Sequence, residues 1–423
     1  MKYIKEDNKT YTINTIKTSK FDTITMELKF RNVIKEDDLI TRMFLTNILS
    51  ASTKEFPTTR LLSIEGENLY DIKYSFSTER IGNYVETTLI AKFVNPKYTS
   101  SDMLKKSIKY IFDMIFNPNI ENNLFSTLDY KYAYNKMIEL TASSKEDMKI
   151  YSAIRMYEEL GKKTPISYNI CNKESVIKKI TNDSLYSYYK NMIKSDYFDI
   201  YIIGEFDEKE AISYIKEICP INTVKKSKKE LVIEHKKLKS RITNVVEYED
   251  INQAKLTIGC KTSDVTLFER LYVAPIFNEI YGGSSDAKLF KNIREKHSLA
   301  YYIYSTLKLL DNIMYVYCGI DSNDVNKVTK LVKKYYNEMK EGLFTEEDIN
   351  RAKTNYKASL NRIEESPSSI IQVYYAKNIL NSDLLEERYK KIEEVTYEDI
   401  VMFASKIHFD TSFVVKGGKH ERV

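Results

Sequence analysis

Tyr281-Gly-Gly-Ser-Ser-Asp-Ala-Lys-Leu-Phe-Lys-Asn-Ile-Arg-Glu-Lys-His-Ser-Leu-Ala-Tyr-Tyr302 places three local signals in one run. Gly282-Gly283-Ser284 reads as a turn in which glycine supplies positive φ. A helical segment then runs into Glu295, and strands are predicted near 300–307 and 313–320. Upstream lie a strand, Lys255–Cys260, and a helix from Asp264 to about Tyr281. Downstream, a helix is expected from Asn323 to Lys340. Thr345-Glu-Glu-Asp348 has the form of a capping box and opens another helix near 346–364. A last helix opens at Thr396-Tyr-Glu-Asp399, and the strand Ser412–Val415 stops at Gly417-Gly418.

The same order precedes this region. Residues 23–30 (TITMELKF) alternate like a half-buried strand, and Leu39, Ile40, Met43, Phe44, Ile48 and Leu49 form the apolar face of a helix. Extended segments follow near 70–77 and 85–94. Ser101–Asp102 opens a helix from Met103 to Phe116, which Asn117–Pro118 ends. Helical periodicity covers about 124–160 and 173–193, and the strand Phe198–Ile203 stops at Gly204. Ile180-Thr-Asn-Asp-Ser-Leu185 matches Val395-Thr-Tyr-Glu-Asp-Ile400, and Gly204 matches Gly417, at nearly the same offset. A motif, helix, strand and glycine repeated at one spacing indicates internal duplication. The expected fold is α+β, two similar domains, each a largely antiparallel sheet covered by helices. Residues 1–206 form the first, 207–245 a basic linker and 246–423 the second.

At 423 residues the chain exceeds one ordinary core, and with 11 Gly, 7 Pro and 43% hydrophobic residues it is not of the disordered class. The net charge of +5 is concentrated in residues 225–241, where eight Lys/Arg face two Glu. That run reads as a solvated linker; without interleaved aromatics or a second basic face it is no nucleic-acid site. The first twenty residues carry charges where a signal peptide needs an apolar core, and no apolar run would span a bilayer. Cys171, Cys219, Cys260 and Cys318 form no Cys-x-x-Cys pair and read as structural thiols of a reducing cytoplasm. The expected location is cytoplasmic.

The run 281–302 closely resembles a motif of the insulinase, pitrilysin and mitochondrial processing peptidase family. There a Gly/Ser turn leads to Leu-Phe, an Arg-Glu-Lys run and Leu-(Gly/Ala)-Tyr. Val246-Glu-Tyr-Glu-Asp-Ile-Asn-Gln-Ala-Lys-Leu-Thr-Ile-Gly259 is similar to the family's entry strand. Glu341-Gly-Leu-Phe-Thr-Glu-Glu-Asp-Ile-Asn-Arg-Ala-Lys353 is similar to its tail. The resemblance implies a pair of similar α/β domains, and two such halves closing around a peptide. It also implies a helix bearing His-x-x-Glu-His, whose two imidazoles bind zinc while the Glu activates water.

This chain departs from that pattern. Its histidines are His235, His297, His408 and His420, so none lies in the first 234 residues. The helix that should carry the motif reads Asp-Leu-Ile-Thr-Arg-Met-Phe-Leu-Thr-Asn-Ile-Leu-Ser from Asp38 to Ser50, with neither imidazole nor thiolate. Each remaining histidine reads as a surface or packing residue. The resemblance does retain the family's substrate pair, an Arg and a Tyr seven residues later, at Arg294 and Tyr301. A guanidinium and a phenol both donate to a peptide carbonyl and gain strength as negative charge develops there. The plainer alternative pairs Arg294 with Glu295 or Asp286 and packs Tyr301 in its strand. Gly282-Gly283-Ser284 is too short for the glycine-rich loop of processing-peptidase recognition subunits.

The resemblance therefore implies a non-catalytic, substrate-positioning subunit of a heterodimeric zinc metallopeptidase. It would bind peptide, hold no metal of its own, and leave zinc to a homologous partner; alone, it would form a homodimer by default. The contrasting expectation is a structural or peptide-binding scaffold with no role in proteolysis. A self-sufficient hydrolase finds no Gly-x-Ser-x-Gly elbow here.

Overall fold

In chain order the first elements are strands β1 (Lys2–Asp7), β2 (Thr12–Lys17) and β3 (Thr23–Val33), then helices α1 (Asp38–Leu49) and α2 (Thr59–Asn68). Strands β4 (Lys73–Ile81) and β5 (Tyr84–Val94), helix α3 (Met103–Phe116) and the short hairpin β6 (Ile120–Glu121) and β7 (Leu124–Phe125) follow. Next come helices α4 (Thr127–Ser143), α5 (Met148–Leu160), α6 (Glu174–Ile177) and α7 (Asn182–Ser195), strand β8 (Tyr197–Gly204) and helix α8 (Glu208–Ile218). The later chain holds β9 (Thr243–Glu249), β10 (Ala254–Thr262), α9 (Ala274–Asn278), β11 (Ala300–Lys308) and β12 (Ile313–Ile320). It closes with α10 (Val325–Lys340), α11 (Glu346–Ile363), α12 (Pro367–Leu380), α13 (Leu385–Lys391), α14 (Tyr397–Ser405) and β13 (Ile407–Gly417). This computed structural model describes residues 1–221, 229–235 and 237–418.

The two sheets share one plan. The first runs β1-β2-β8-β3-β5-β4 and the second β11-β12-β10-β13-β9. In each, the closing strand lies between one parallel and one antiparallel neighbour: β8 between β2 and β3, β13 between β9 and β10. All other pairings are antiparallel. The α+β duplication expected from the sequence is therefore a duplication of topology, with β1 as an addition to the first sheet. Both closing helices begin at a threonine capping box, Thr181 with Ser184 and Thr396 with Asp399. Gly204 and Gly418, with φ of +147° and +158°, end the strands where an L side chain is disfavoured.

A contiguous division at 206 and 246 does not describe the packing. The first compact unit comprises Met1–Ser143, Asn172–Lys229 and Ser366–Gln372; the second comprises Ser144–Cys171, Glu230–Glu365 and Val373–Val423. Helix α5, early in the sequence, thus belongs to the second unit. Its Tyr151, Met156 and Leu160 pack with Ile313, Phe413 and Val415. Gly259 of β10 makes room for it, since a Cβ there would lie 2.3 Å from Met156 Sδ. Ser152 Oγ bonds Thr257 Oγ1 at 2.6 Å, and Arg155 reaches Glu247 at 2.8 Å. The other face of the sheet holds the larger core, with Leu256, Ile258, Phe277, Ile303, Val316 and Phe403 among its residues.

Three further expectations change. Strand β3 keeps its alternation, but its polar side is also buried: Glu27 and Lys29 are 2% and 4% exposed. Lys29 lies 3.1 Å from Glu27 and 3.4 Å from Glu86. Burial opposes the Lys29 charge, and the two carboxylates more than offset it, raising its pKa. The linker 207–245 contains α8, capped by Asp207 on the Glu210 N–H. Part of its basic run is docked rather than solvated. Leu231 and Ile233 are buried, and the Ile233 N–H donates to the Leu310 carbonyl at 2.8 Å. Residues 225–228 and Lys236 of that run lie outside the described residues.

Candidate substrate-binding site

Arg294 and Tyr301 belong to the second unit, on either side of a helix-to-strand corner. The helical stretch before it is not α throughout. π-helical turns occupy Glu269–Val273, Glu279–Gly283 and Phe290–Lys296. Such turns are uncommon and concentrate at functional sites. Gly282 and Gly283 are part of this wider helix and do not have positive φ, so the turn reading of Gly282-Gly283-Ser284 is corrected. Glycine is needed there for closeness. A Cβ on Gly282 would lie 2.6 Å from Ser305 Oγ, and one on Gly283 2.6 Å from Asn278 Nδ2.

The last π turn carries Arg294 and closes with Ser298 at φ 51°. The Ser298 N–H donates to the Arg294 carbonyl at 3.1 Å and the Leu299 N–H to the Ile293 carbonyl at 3.0 Å, as in a left-handed helix cap. Strand β11 then starts irregularly. Ala300 pairs with Ile320 and Tyr302 with Gly319, so Tyr301 is the extra residue of a bulge. A bulge re-aims a side chain, and Tyr301 is 70% exposed while its neighbour Ala300 is buried.

Arg294 is exposed and lies 4.6 Å from the centroid of the Phe290 ring. Phe290 in turn packs on Tyr304 at 6.0 Å. Asp286 pairs with Lys291 at 3.0 Å. Among the described residues Arg294 has no ion-pair partner and Tyr301 no hydrogen-bond partner. An exposed guanidinium resting on an aromatic face is held in place by about 0.5–1 kcal/mol, yet keeps its N–H fork free.

In the first unit, α1 is the helix that the resemblance leads one to expect to carry the metal motif. Phe44 stacks on Tyr130 at 5.3 Å. Thr46 Oγ1 and Asn47 Nδ2 both donate to the Met43 carbonyl, at 2.9 and 2.8 Å. The helix offers no imidazole or thiolate, and its uncharged polar side chains are spent on its own turn. This donor set does not fit zinc. Among the described residues there is no group of three or more His, Cys, Asp and Glu able to hold a metal ion.

The same helix carries a charge that sequence reading passed over. Arg42 is 2% exposed, and its guanidinium meets Asp196 at 2.6 Å, the Phe30 carbonyl at 3.2 Å and Tyr188 Oη at 3.1 Å. Tyr188 donates to Asp38 at 2.9 Å, and Asn32 donates to Asp196 at 2.8 Å. Burial works against the Arg42 charge, but Asp196 and Tyr188 offset it and the guanidinium stays protonated. These groups line a cavity of about 390 Å³. With its donors used internally, Arg42 anchors the helix instead of facing a ligand. An Arg four residues into an apolar helix face was the available signal.

The histidines are dispersed. His235 Nε2 faces the Asp311 carbonyl at 2.8 Å, His297 is exposed, His408 is half-buried in β13, and His420 lies outside the described residues. The four cysteines are unbridged, and burial pushes the Cys219 and Cys318 thiols up to about 11 and about 12. No helix among the described residues is long and apolar enough to cross a membrane.

Comparison with known proteins agrees with the resemblance seen in the sequence. The family described as Peptidase M16 inactive domain matches residues 179–356. The probable inactive metalloprotease YmfF of Bacillus subtilis is 27% identical over 410 residues, covering 96% of each chain. A conserved protein of Enterococcus faecalis superposes with a TM-score of 0.92 at 22% identity, covering 98% of this chain and 99% of that one. A peptidase M16 inactive domain from Pseudomonas fluorescens gives a TM-score of 0.79 at 13% identity over the whole of both chains.

Proposed function

As a chain of the M16 peptidase family without the metal motif, this protein is, we propose, a non-catalytic subunit that positions peptide substrate for a homologous, zinc-bearing partner. One observation carries the reading. Arg294 and Tyr301 stand seven residues apart at a corner that turns both outward, and neither side chain spends a hydrogen-bond donor on another described residue, Arg294 resting only on the Phe290 ring. A purely structural Arg–Tyr pair would be expected to spend its donors internally, as Arg42 does. Members of this family often act with a homologous subunit, and a peptide enclosed between two halves needs a second chain. Zinc belongs to that partner alone, this chain binds none, and the assembly works in the cytoplasm.

The role of the pair is that of donors. The guanidinium and the phenol hold the substrate carbonyl and strengthen as it becomes an oxyanion at the partner's metal. Co-expression with the homologue that carries His-x-x-Glu-His, followed by size exclusion, tests the assembly. Arg294→Ala and Tyr301→Phe should leave pairing intact and lower kcat/KM of the pair by about 10²–10³-fold each. The losses should be less than additive when combined. Normal turnover by an assembled double variant refutes the role, and full activity of the partner alone favours a scaffold.

A further inference from the structure

Directly after Tyr301, the chain builds a second feature that the Arg–Tyr pair does not use. Tyr302 points to the α5 side of the sheet, opposite Gly319 of β12. Its ring passes so close that a Cβ on Gly319 would lie 2.5 Å from Tyr302 Cε1 and 2.6 Å from Gln253 Oε1. Glycine at 319 therefore lets a tyrosine and an amide form the floor of an open groove of about 770 Å³, within the second unit.

Two ammonium groups converge on that floor. Lys149 Nζ lies 5.3 Å from the Tyr302 ring centroid and 4.6 Å from that of Tyr317. Lys255 Nζ lies 5.5 Å from the Tyr302 ring and donates to Gln253 Oε1. Neither lysine has a carboxylate within ion-pair distance among the described residues. Asp147, the nearby acid at the head of α5, directs Oδ1 to the Lys149 and Ile150 N–H groups at 2.8 and 3.2 Å. Glu146, also at the rim, is exposed. The Lys255 pKa is lowered by burial, which outweighs the pull of Asp147, and the like charge of Lys149 adds a smaller push in the same direction. Asp147 attracts Lys255 from the head of α5 but makes no ion pair with either lysine among the described residues, so two ammonium groups gathered over one aromatic ring are left to meet an incoming anion.

We propose that this groove binds a carboxylate of the peptide substrate, through Lys149, Lys255 and the Tyr302 hydroxyl. The inference rests on the peptide-positioning reading above and adds a preference to it. Neighbouring Cα atoms are about 3.8 Å apart, so a peptide engaged by Tyr301 lies within a few residues' reach of the groove beside Tyr302. The carboxylate is either an acidic side chain or the peptide's C-terminus, since both present the same two oxygens.

Amine footprinting on the full chain separates these sources. The acetylation rate of Lys255 is read by mass spectrometry with three probes: acetyl-Ala-Ala-Glu-Ala-Ala-amide, its Gln counterpart as the amide, and that Gln peptide with a free C-terminus. The expected result is protection by one or both carboxylate peptides and none by the neutral amide; which one protects names the source. Lys149→Gln, an exposed change that spares the core, should weaken that protection about tenfold, the worth of one charge-assisted hydrogen bond. Equal protection by the neutral peptide, or no protection by any carboxylate peptide at millimolar concentration, overturns the groove. The same titration on Arg294→Ala distinguishes the two claims. Acid-selective protection that persists undiminished there upholds the groove while removing Arg294 from peptide binding. Binding that needs Arg294 but ignores the carboxylate leaves the subunit reading standing and sinks the groove.

Discussion

Replacing Arg42 by Met removes a fully buried cation from helix α1. The side chain's volume is largely kept, so the effect comes from polarity. Asp196, 1% exposed at its side chain, would keep only the Asn32 amide among its present donors, at 2.8 Å. The Phe30 carbonyl and the Tyr188 hydroxyl would each lose a partner as well. Breaking a buried ion pair from one side costs about 3–5 kcal/mol, most of it the stranded charge. In a unit of roughly 200 residues, each kcal/mol moves Tm by about 2–4 °C, so the expected fall is about 10 °C. The chain has no tryptophan, so urea unfolding followed by far-ultraviolet circular dichroism is the suitable assay. The double variant Arg42→Met with Asp196→Leu is the control. With both charges gone, it should recover much of the loss and lie well above the sum of the single variants. A single-variant cost under about 1 kcal/mol, or a double variant as unstable as the sum, refutes the anchoring role.

Three further outcomes follow from the same geometry. His235 has its pKa lowered, burial being the largest cause, so the folded linker holds the neutral ring more tightly than the unfolded chain does. Its contribution is complete above the ordinary value of 6.5 and is lost as pH falls below it. The protection factor of the Ile233 amide, its exchange corrected for the intrinsic rate at each pH, should therefore fall between about pH 7.5 and 5.5 and change less in His235→Gln; a pH-independent difference between the two proteins counts against this. Gly282→Ala should destabilise the second unit by about 1–3 kcal/mol, because the new methyl meets Ser305 and Leu289 at 2.6 and 2.8 Å. A neutral result in thermal melts would mean that the π turn relaxes freely. The purified chain should bind no stoichiometric zinc and cleave no peptide; elemental analysis giving about one zinc per chain, with chelator-sensitive proteolysis, would overturn the central proposal.

Elements with local punctuation were legible in the sequence, and those defined by a partner were not. Helix α3 falls on its expected residues because Ser101–Asp102 and Asn117–Pro118 mark its ends. Helices α11 and α14 start where the threonine boxes place them. The short strands β1 and β2 left no local mark and β9 is met only through the entry-strand resemblance that begins at Val246, since β1 and β9 are only part-buried and all three are identified by the strands they pair with. Helix α8 did leave a signal, Asp207 followed by Glu208 and Glu210 with Lys216 in the last turn, but the surrounding charge made it read as linker. The candidate pair was found by motif and spacing. Its exposure was not, because that depends on a bulge at Tyr301 and a π turn at Phe290–Lys296, and 3.6-residue periodicity announces neither.

By itself the sequence determined the duplication, the fold class and the lack of histidine before residue 235, because repeats, apolar periodicity and residue identity are properties of the chain alone. Only the tertiary structure decided which sheet α5 covers. Its apolar face of Tyr151, Met156 and Leu160 would suit either sheet, and the choice rests on the space left by Gly259 and the hydrogen bonds offered by Thr257 and Glu247. It likewise decided that Arg42 is held by a buried carboxylate while Arg294 is exposed, with no ion-pair partner among the described residues. The same guanidinium has opposite surroundings according to whether a carboxylate is folded against it, and that pairing joins Asp196 to Arg42 across 154 residues of chain.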